Sequence, residues 1–138
     1  MNKLSQQEYS DIIKTGLLTR FPEFKRFVRY VDDVLIIEIP SPMKTQLFWI
    51  STQDMEITIG FDNANGDCSW HTHMSLYGAY EIDDELRTLI HLLTDIFEGN
   101  ELLVLEDNEV IYLTKNPEDE LKNNEDNKIL DFKKWNEI

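Results

Sequence analysis

Apolar positions along the chain switch between a helical and an extended period, and each switch marks an element. Ser5-Gln6-Gln7-Glu8 has the form of a helix capping box, with Leu4 and Tyr9 in the positions of a hydrophobic staple. Tyr9, Ile12, Ile13 and Leu17 then recur at helical spacing. The helix is expected to end near Thr19, because Phe21 precedes Pro22 and a residue before proline avoids the helical region. Residues 24–30 read either as a strand or as a continued turn. Asp32-Asp33 predicts a turn, after which residues 34–39 (VLIIEI) form the short β-branched run of a central strand, stopped by Pro40-Ser41-Pro42. Residues 46–51 (QLFWIS) are the next strand. In MEITIGF, Ile57, Ile59 and Phe61 alternate with Glu56, Thr58 and Gly60, as in an antiparallel strand with one wet face.

The second half repeats the same grammar. DNANGD (residues 62–67) is loop chemistry, and CSWHTHM after it reads as a strand or strand edge. A further loop runs through Gly78. Asp83-Asp84-Glu85 then opens the clearest helix, its acidic first turn matching the positive end of the helix dipole. Leu86, Leu89, Ile90, Leu93 and Phe97 form its apolar stripe, and Gly99 ends it. ELLVLE and VIYLT flank Asp107-Asn108-Glu109 as a hairpin. Residues 115–128 are almost wholly polar: either a linker or a short exposed helix capped by Asn116 with Pro117 at its first position. Residues 129–138 turn apolar again and are expected to dock back on the body. The order α-β-β-β-β-α-β-β predicts a single α+β domain over residues 1–138. Its core would be a mostly antiparallel sheet of about five to six strands with two main helices packed on one face.

Charge narrows the possible partners. The formal net charge is −14, and residues 1–50 hold seven Lys/Arg against six Asp/Glu, whereas residues 51–138 hold six against 21. Such a surface repels phosphate backbones and anionic lipid, so nucleic-acid and membrane partners are not expected. It is either simply a soluble, self-repelling surface or a face shaped for a basic protein partner. No apolar run approaches a membrane span, the N-terminal stretch has no signal-like apolar region, and the one cysteine allows no internal disulfide. These features predict a cytoplasmic protein.

Candidate chemistry centres on CSWHTH (residues 68–73), which holds two of the three histidines and the only cysteine. In an extended strand His71 and His73 share a face, with Cα atoms roughly 6.6 Å apart. A metal site needs at least three protein ligands. Asp62, Asp67, Cys68, Glu81 and His91 are the available additions, none at a signature spacing. The plainer reading places Trp70 and Thr72 inward and both histidines outward. Cys68 lacks a marked base and orienting group, and lone cysteines are commonly small buried hydrophobes. Trp49, Trp70 and Trp135 are expected mainly in the core. No phosphate loop, dinucleotide fingerprint or hydrolase elbow is present, and no cofactor is expected.

MEITIGFDNANGDCSWHTHM, the acidic-start helix DDELRTLIHLLTDIFEGN and the hairpin ELLVLEDNEVIYL together resemble the small α+β immunity proteins of bacterial polymorphic toxin systems. Glu56, Phe61, Trp70, His71, His73, Asp95, Ile96 and Glu101 carry the resemblance, which covers residues 55–114. It implies a stoichiometric inhibitor, not an enzyme, that binds a cognate toxin, in many such systems a basic nuclease. Charge steering of that encounter would fall to Glu56, Asp62, Asp67, Asp83, Asp84 and Glu85, with His71 and His73 on the outward face of the strand. Two other readings stand beside this one: a small metal-dependent hydrolase using His71 and His73, and a protein–protein adaptor.

Overall fold

The computed structural model describes residues 4–122, 124 and 128–138. It is an α+β fold in the expected element order, and among the described residues eight strands divide between two antiparallel sheets. Helix α1 (Gln6–Arg20) begins at the capping box: Ser5 Oγ accepts from the Glu8 N–H, and the Glu8 carboxylate accepts from the Ser5 N–H. Residues 24–30 resolve into both alternatives, a 3₁₀ turn (Pro22–Phe27) followed by strand β1 (Val28–Val31). Strands β2 (Val34–Pro40), β3 (Leu47–Ser51), β4 (Thr58–Asp62) and β5 (Cys68–His73) then add in sequence order, giving a five-stranded meander.

Helix α2 (Ile82–Glu98) ends at Gly99, held at φ 82°. The Asn100 N–H reaches back to the Asp95 carbonyl, a Schellman closure. Strands β6 (Leu102–Glu106) and β7 (Glu109–Thr114) form the predicted hairpin, closed by Asp107 and Asn108, both at positive φ as a type I′ turn requires. The short helix α3 (Pro117–Lys122) follows Asn116, so the polar stretch begins as a helix; residues 123 and 125–127 of that stretch lie outside the described residues. Strand β8 (Asp131–Lys133) pairs with β6, making the second sheet β7-β6-β8.

Both main helices cover one face of the large sheet. Tyr9, Ile13 and Leu17 of α1 and Leu89, Leu93 and Ile96 of α2 join Leu35, Ile37, Phe48, Ile50, Ile59 and Phe61 in a single buried cluster. That cluster also takes in Leu103, Leu105 and Val110 of the second sheet, and the C-terminal Ile138. Ile12, predicted on the buried stripe of α1, sits at its rim, 39% exposed. The C-terminal segment docks through Trp135, whose ring meets Phe97 edge-on at 5.2 Å.

A buried polar joint also fixes α1. Ser10 Oγ donates to the Asp33 carbonyl (2.6 Å) and lies 2.7 Å from Thr52 Oγ1, which accepts from the Leu35 N–H. The two helices approach closely at Gly16, where an added Cβ would stand 2.3 Å from Leu86 Cδ2.

Candidate functional site

Strand register sorts the sheet into two faces. On the face away from the helices, hydrogen-bonded pairing aligns Arg29, Ile36, Ser51, Thr58 and His73 in one row. Glu38, Trp49, Gly60 and His71 make the next row, and Pro40, Leu47, Asp62 and Cys68 the third. Only Gly60 is buried among these; every other member is partly or fully exposed, so among the described residues no element covers this face. Gly60 is buried because Trp49 lies over it: a Cβ there would stand 2.3 Å from the indole and 2.8 Å from the Trp70 carbonyl oxygen. The indole N–H donates to Asp62 Oδ1 at 2.9 Å. Trp49 is therefore a surface platform and not the core residue expected. Its parity with Ser51, opposite to Phe48 and Ile50, was the readable signal.

CSWHTH is two-faced as expected, with Trp70 against Phe61 in the core, Thr72 buried, and both histidines outward. Cys68 departs from strict alternation. A bulge leaves Ser69 as an extra residue, so Cys68 pairs with Asp62 and joins the histidine face, exposed instead of buried. Its sulfur lies 3.9 Å from His71 Nδ1. Desolvation and the Asp62 charge push the thiol above its ordinary pKa, which disfavours the nucleophilic thiolate.

The histidine rings are 5.5 Å apart, edge to face. His73 Nδ1 is 2.7 Å from Thr58 Oγ1 and 3.8 Å from Glu56 Oε1, while Glu56 accepts from Ser75 Oγ at 2.7 Å. Trp49, Ser51, Thr58, Cys68, His71, His73 and Glu56 line a shallow depression of about 330 Å³. The turn Gln53–Met55 forms one wall and holds Asp54 and Met55 at positive φ, strained geometry for methionine. Among the described residues, no three His, Cys, Asp or Glu side chains are grouped to hold a metal ion.

The eight residues singled out as partner contacts separate in space. Glu56, Asp62, His71 and His73 share the open face. Asp67 sits in the exposed loop before β5, its N–H donating to Asn63 Oδ1. Asp83 and Asp84 are exposed on the first turn of α2, Asp84 paired with Arg87 at 2.9 Å. Glu85 turns inward, 6% exposed, and is not a surface contact. Its carboxylate accepts from Tyr9 Oη at 2.8 Å and from the Ile57 N–H, joining α1, α2 and the approach to β4. Burial raises its pKa and those two donors oppose the rise. The acidic run at 83–85 showed a helix start, but the inward turn of its third member depends on Tyr9, 76 positions away.

Glu101 is also buried, with its pKa raised by desolvation, and Oε2 has no hydrogen-bond partner among the described residues. Asp95 beside it binds Lys115 at 3.0 Å. Two of the residues that carry the family resemblance, Asp95 and Glu101, thus lie together where α2 passes into β6, the Glu101 N–H donating to the Asp95 carbonyl.

Comparison of the chain with protein-family models, with curated proteins and with solved structures gives no match in any of the three. No helix among the described residues is long and apolar enough to cross a membrane.

Proposed function

We propose that this chain is a cytoplasmic, immunity-type binding protein that neutralises a basic protein toxin by occupying it, without catalysis. The observation that carries the reading is an uncovered sheet face bearing Trp49, His71 and His73, in a stretch of chain where Arg87 is the sole cation between Lys44 and Lys115. A half-buried tryptophan lying over a glycine, rimmed by carboxylates, has the composition of an interface anchor. The acidic surroundings favour encounter with cationic protein and disfavour nucleic acid. Co-expression with the product of the adjacent open reading frame tests the reading. Rescue of cells from a toxic neighbour, with co-purification of the pair, is the expected result. A neighbour that is harmless, and rescue from no toxin at all, would overturn it.

A hydrolase reading draws on one observation, the two histidine rings 5.5 Å apart on an open face. Metal analysis of untagged protein separates the two readings: stoichiometric zinc, manganese or iron with a thermal shift on metal addition favours the hydrolase. An adaptor without neutralising activity would pull down a partner yet rescue nothing.

A further inference from the structure

Immediately after β5 the chain makes a 3₁₀ turn, Met74–Tyr77, and then enters α2 through Gly78 to Glu81. Three large apolar side chains lie outside on this corner: Leu76 is 73% exposed, Tyr77 50% and Tyr80 80%. Nothing about the backbone forces this. Met74 and Ala79 are buried on either side, the Gly78 N–H closes the turn on the Ser75 carbonyl, and Ser75 Oγ is held by Glu56. The corner is pinned at both ends, yet presents Leu76, the Tyr80 ring and half of Tyr77 to solvent, a preorganised arrangement that lowers the ordering cost of binding.

The surroundings define the complementary chemistry. Glu81 and Asp83 are exposed just after Tyr80 in the chain, and among the described residues neither forms an ion pair; Arg87 is held by Asp84 and Lys115 by Asp95. A second copy of this chain would bring carboxylates onto carboxylates, and an anionic ligand would meet the same repulsion. We infer that Leu76, Tyr77, Tyr80, Glu81 and Asp83 form the docking surface for an arginine- or lysine-bearing segment of the protein partner. Its aliphatic stems and cationic heads lie over the tyrosine rings, and its charges pair with the two carboxylates. This rests on the reading of the partner as a basic protein, and places part of the contact beyond the Trp49 face, at the junction made by Glu56.

Titration of the labelled full chain with a short arginine-rich peptide, followed by amide NMR, tests the surface whether or not a toxin is known. The expected result is a set of shifts concentrated in residues 75–84, weakened by salt. Replacing Tyr77 and Tyr80 together by serine should lower peptide affinity roughly ten-fold, and Glu81→Gln with Asp83→Asn should also lower it. Tyr80 is exposed, whereas Tyr77 is half-buried with its hydroxyl bonded to Thr72, so Tyr80→Ser alone serves as the second variant, and the unchanged remainder of each spectrum verifies the fold. Three results would overturn the inference: no binding, shifts spread over every acidic segment and indifferent to the tyrosine replacements, or concentration-dependent dimerisation abolished by those replacements. Rescue from a toxin that survives the double serine variant would also overturn the surface while leaving the proposed function standing. Absence of any toxin would overturn that function while leaving the peptide result intact.

Discussion

Replacing Tyr9 by phenylalanine deletes one oxygen from the joint between α1 and α2, and its effect should depend on pH. The Tyr9 hydroxyl is buried and donates to Glu85 Oε2 at 2.8 Å; the carboxylate is left with the Ile57 N–H as its remaining donor. A hydrogen bond to a charged acceptor contributes about 1.5–3 kcal/mol, a neutral one about 1 kcal/mol. The burial that raises the pKa of Glu85 penalises its charged form, so in the folded state the proton is held more tightly than in the unfolded chain. The stabilisation from that proton is complete below the unfolded carboxylate pKa and is lost as pH rises through the folded one. Removing the Tyr9 bond, which opposes the rise, moves the folded pKa higher still and deepens the loss at neutral pH. Tyr9→Phe should therefore destabilise by about 2 kcal/mol at pH 7 and by about 1 kcal/mol near pH 4.5. For 138 residues, an unfolding entropy of roughly 2.1 cal/mol/K per residue converts the larger value to about 7 °C in Tm. Urea denaturation followed by tryptophan fluorescence at both pH values reads this directly. An equal loss at the two pH values, or a loss below about 0.5 kcal/mol at pH 7, would refute an ionised, Tyr9-bonded Glu85 as the joint.

Gly60→Ala should cost about 1–3 kcal/mol by driving the Trp49 ring off the sheet, and the fluorescence of that tryptophan should shift with it; unchanged emission and stability would show that the ring does not rest on the glycine. Glu101→Gln should stabilise on the order of 1 kcal/mol at pH 7, because its orphaned carboxylate oxygen is buried. The gain should vanish at low pH, where Glu101 is neutral in both states, and pH-resolved denaturation checks it. Trp135→Ala should cost about 3 kcal/mol by removing the ring wedged among Phe48, Phe61 and Phe97, and amide exchange should rise along β8; wild-type protection there would mean the segment docks without it.

The elements that announced themselves in the sequence are those whose cause is local. The capping box at Ser5, the α2 stripe ended by Gly99, and the hairpin at Asp107-Asn108-Glu109 each need only neighbouring residues, and each formed there, the turn itself taking Asp107 and Asn108 while Glu109 opens β7. What stayed hidden depends on residues far apart. Residues 24–30 were ambiguous because the 3₁₀ turn and β1 meet inside them, and β1 exists only by pairing with β2. Division into two sheets was likewise invisible, since β6 recruits β8 from beyond α3.

The candidate site shows the same limit more sharply. Period-two reasoning put His71 and His73 on one outward face, which holds because β5 is regular from Trp70 to His73. The same reasoning carried one step further back would assign Cys68 to the face of Trp70, and the bulge at Ser69 reverses it. Trp49 departs from expectation for a different reason: its apolar area argues for the core, whereas its parity along β3 argues for the open face, and parity decides. Residue type states what a side chain would gain from burial. Register states whether the fold lets it be buried, and where the two disagree, at Trp49, part of an apolar side chain is left facing water; in the turn after β5, where no register applies, Leu76, Tyr77 and Tyr80 are left out in the same way. Under the proposed function, those positions are the ones a partner would cover.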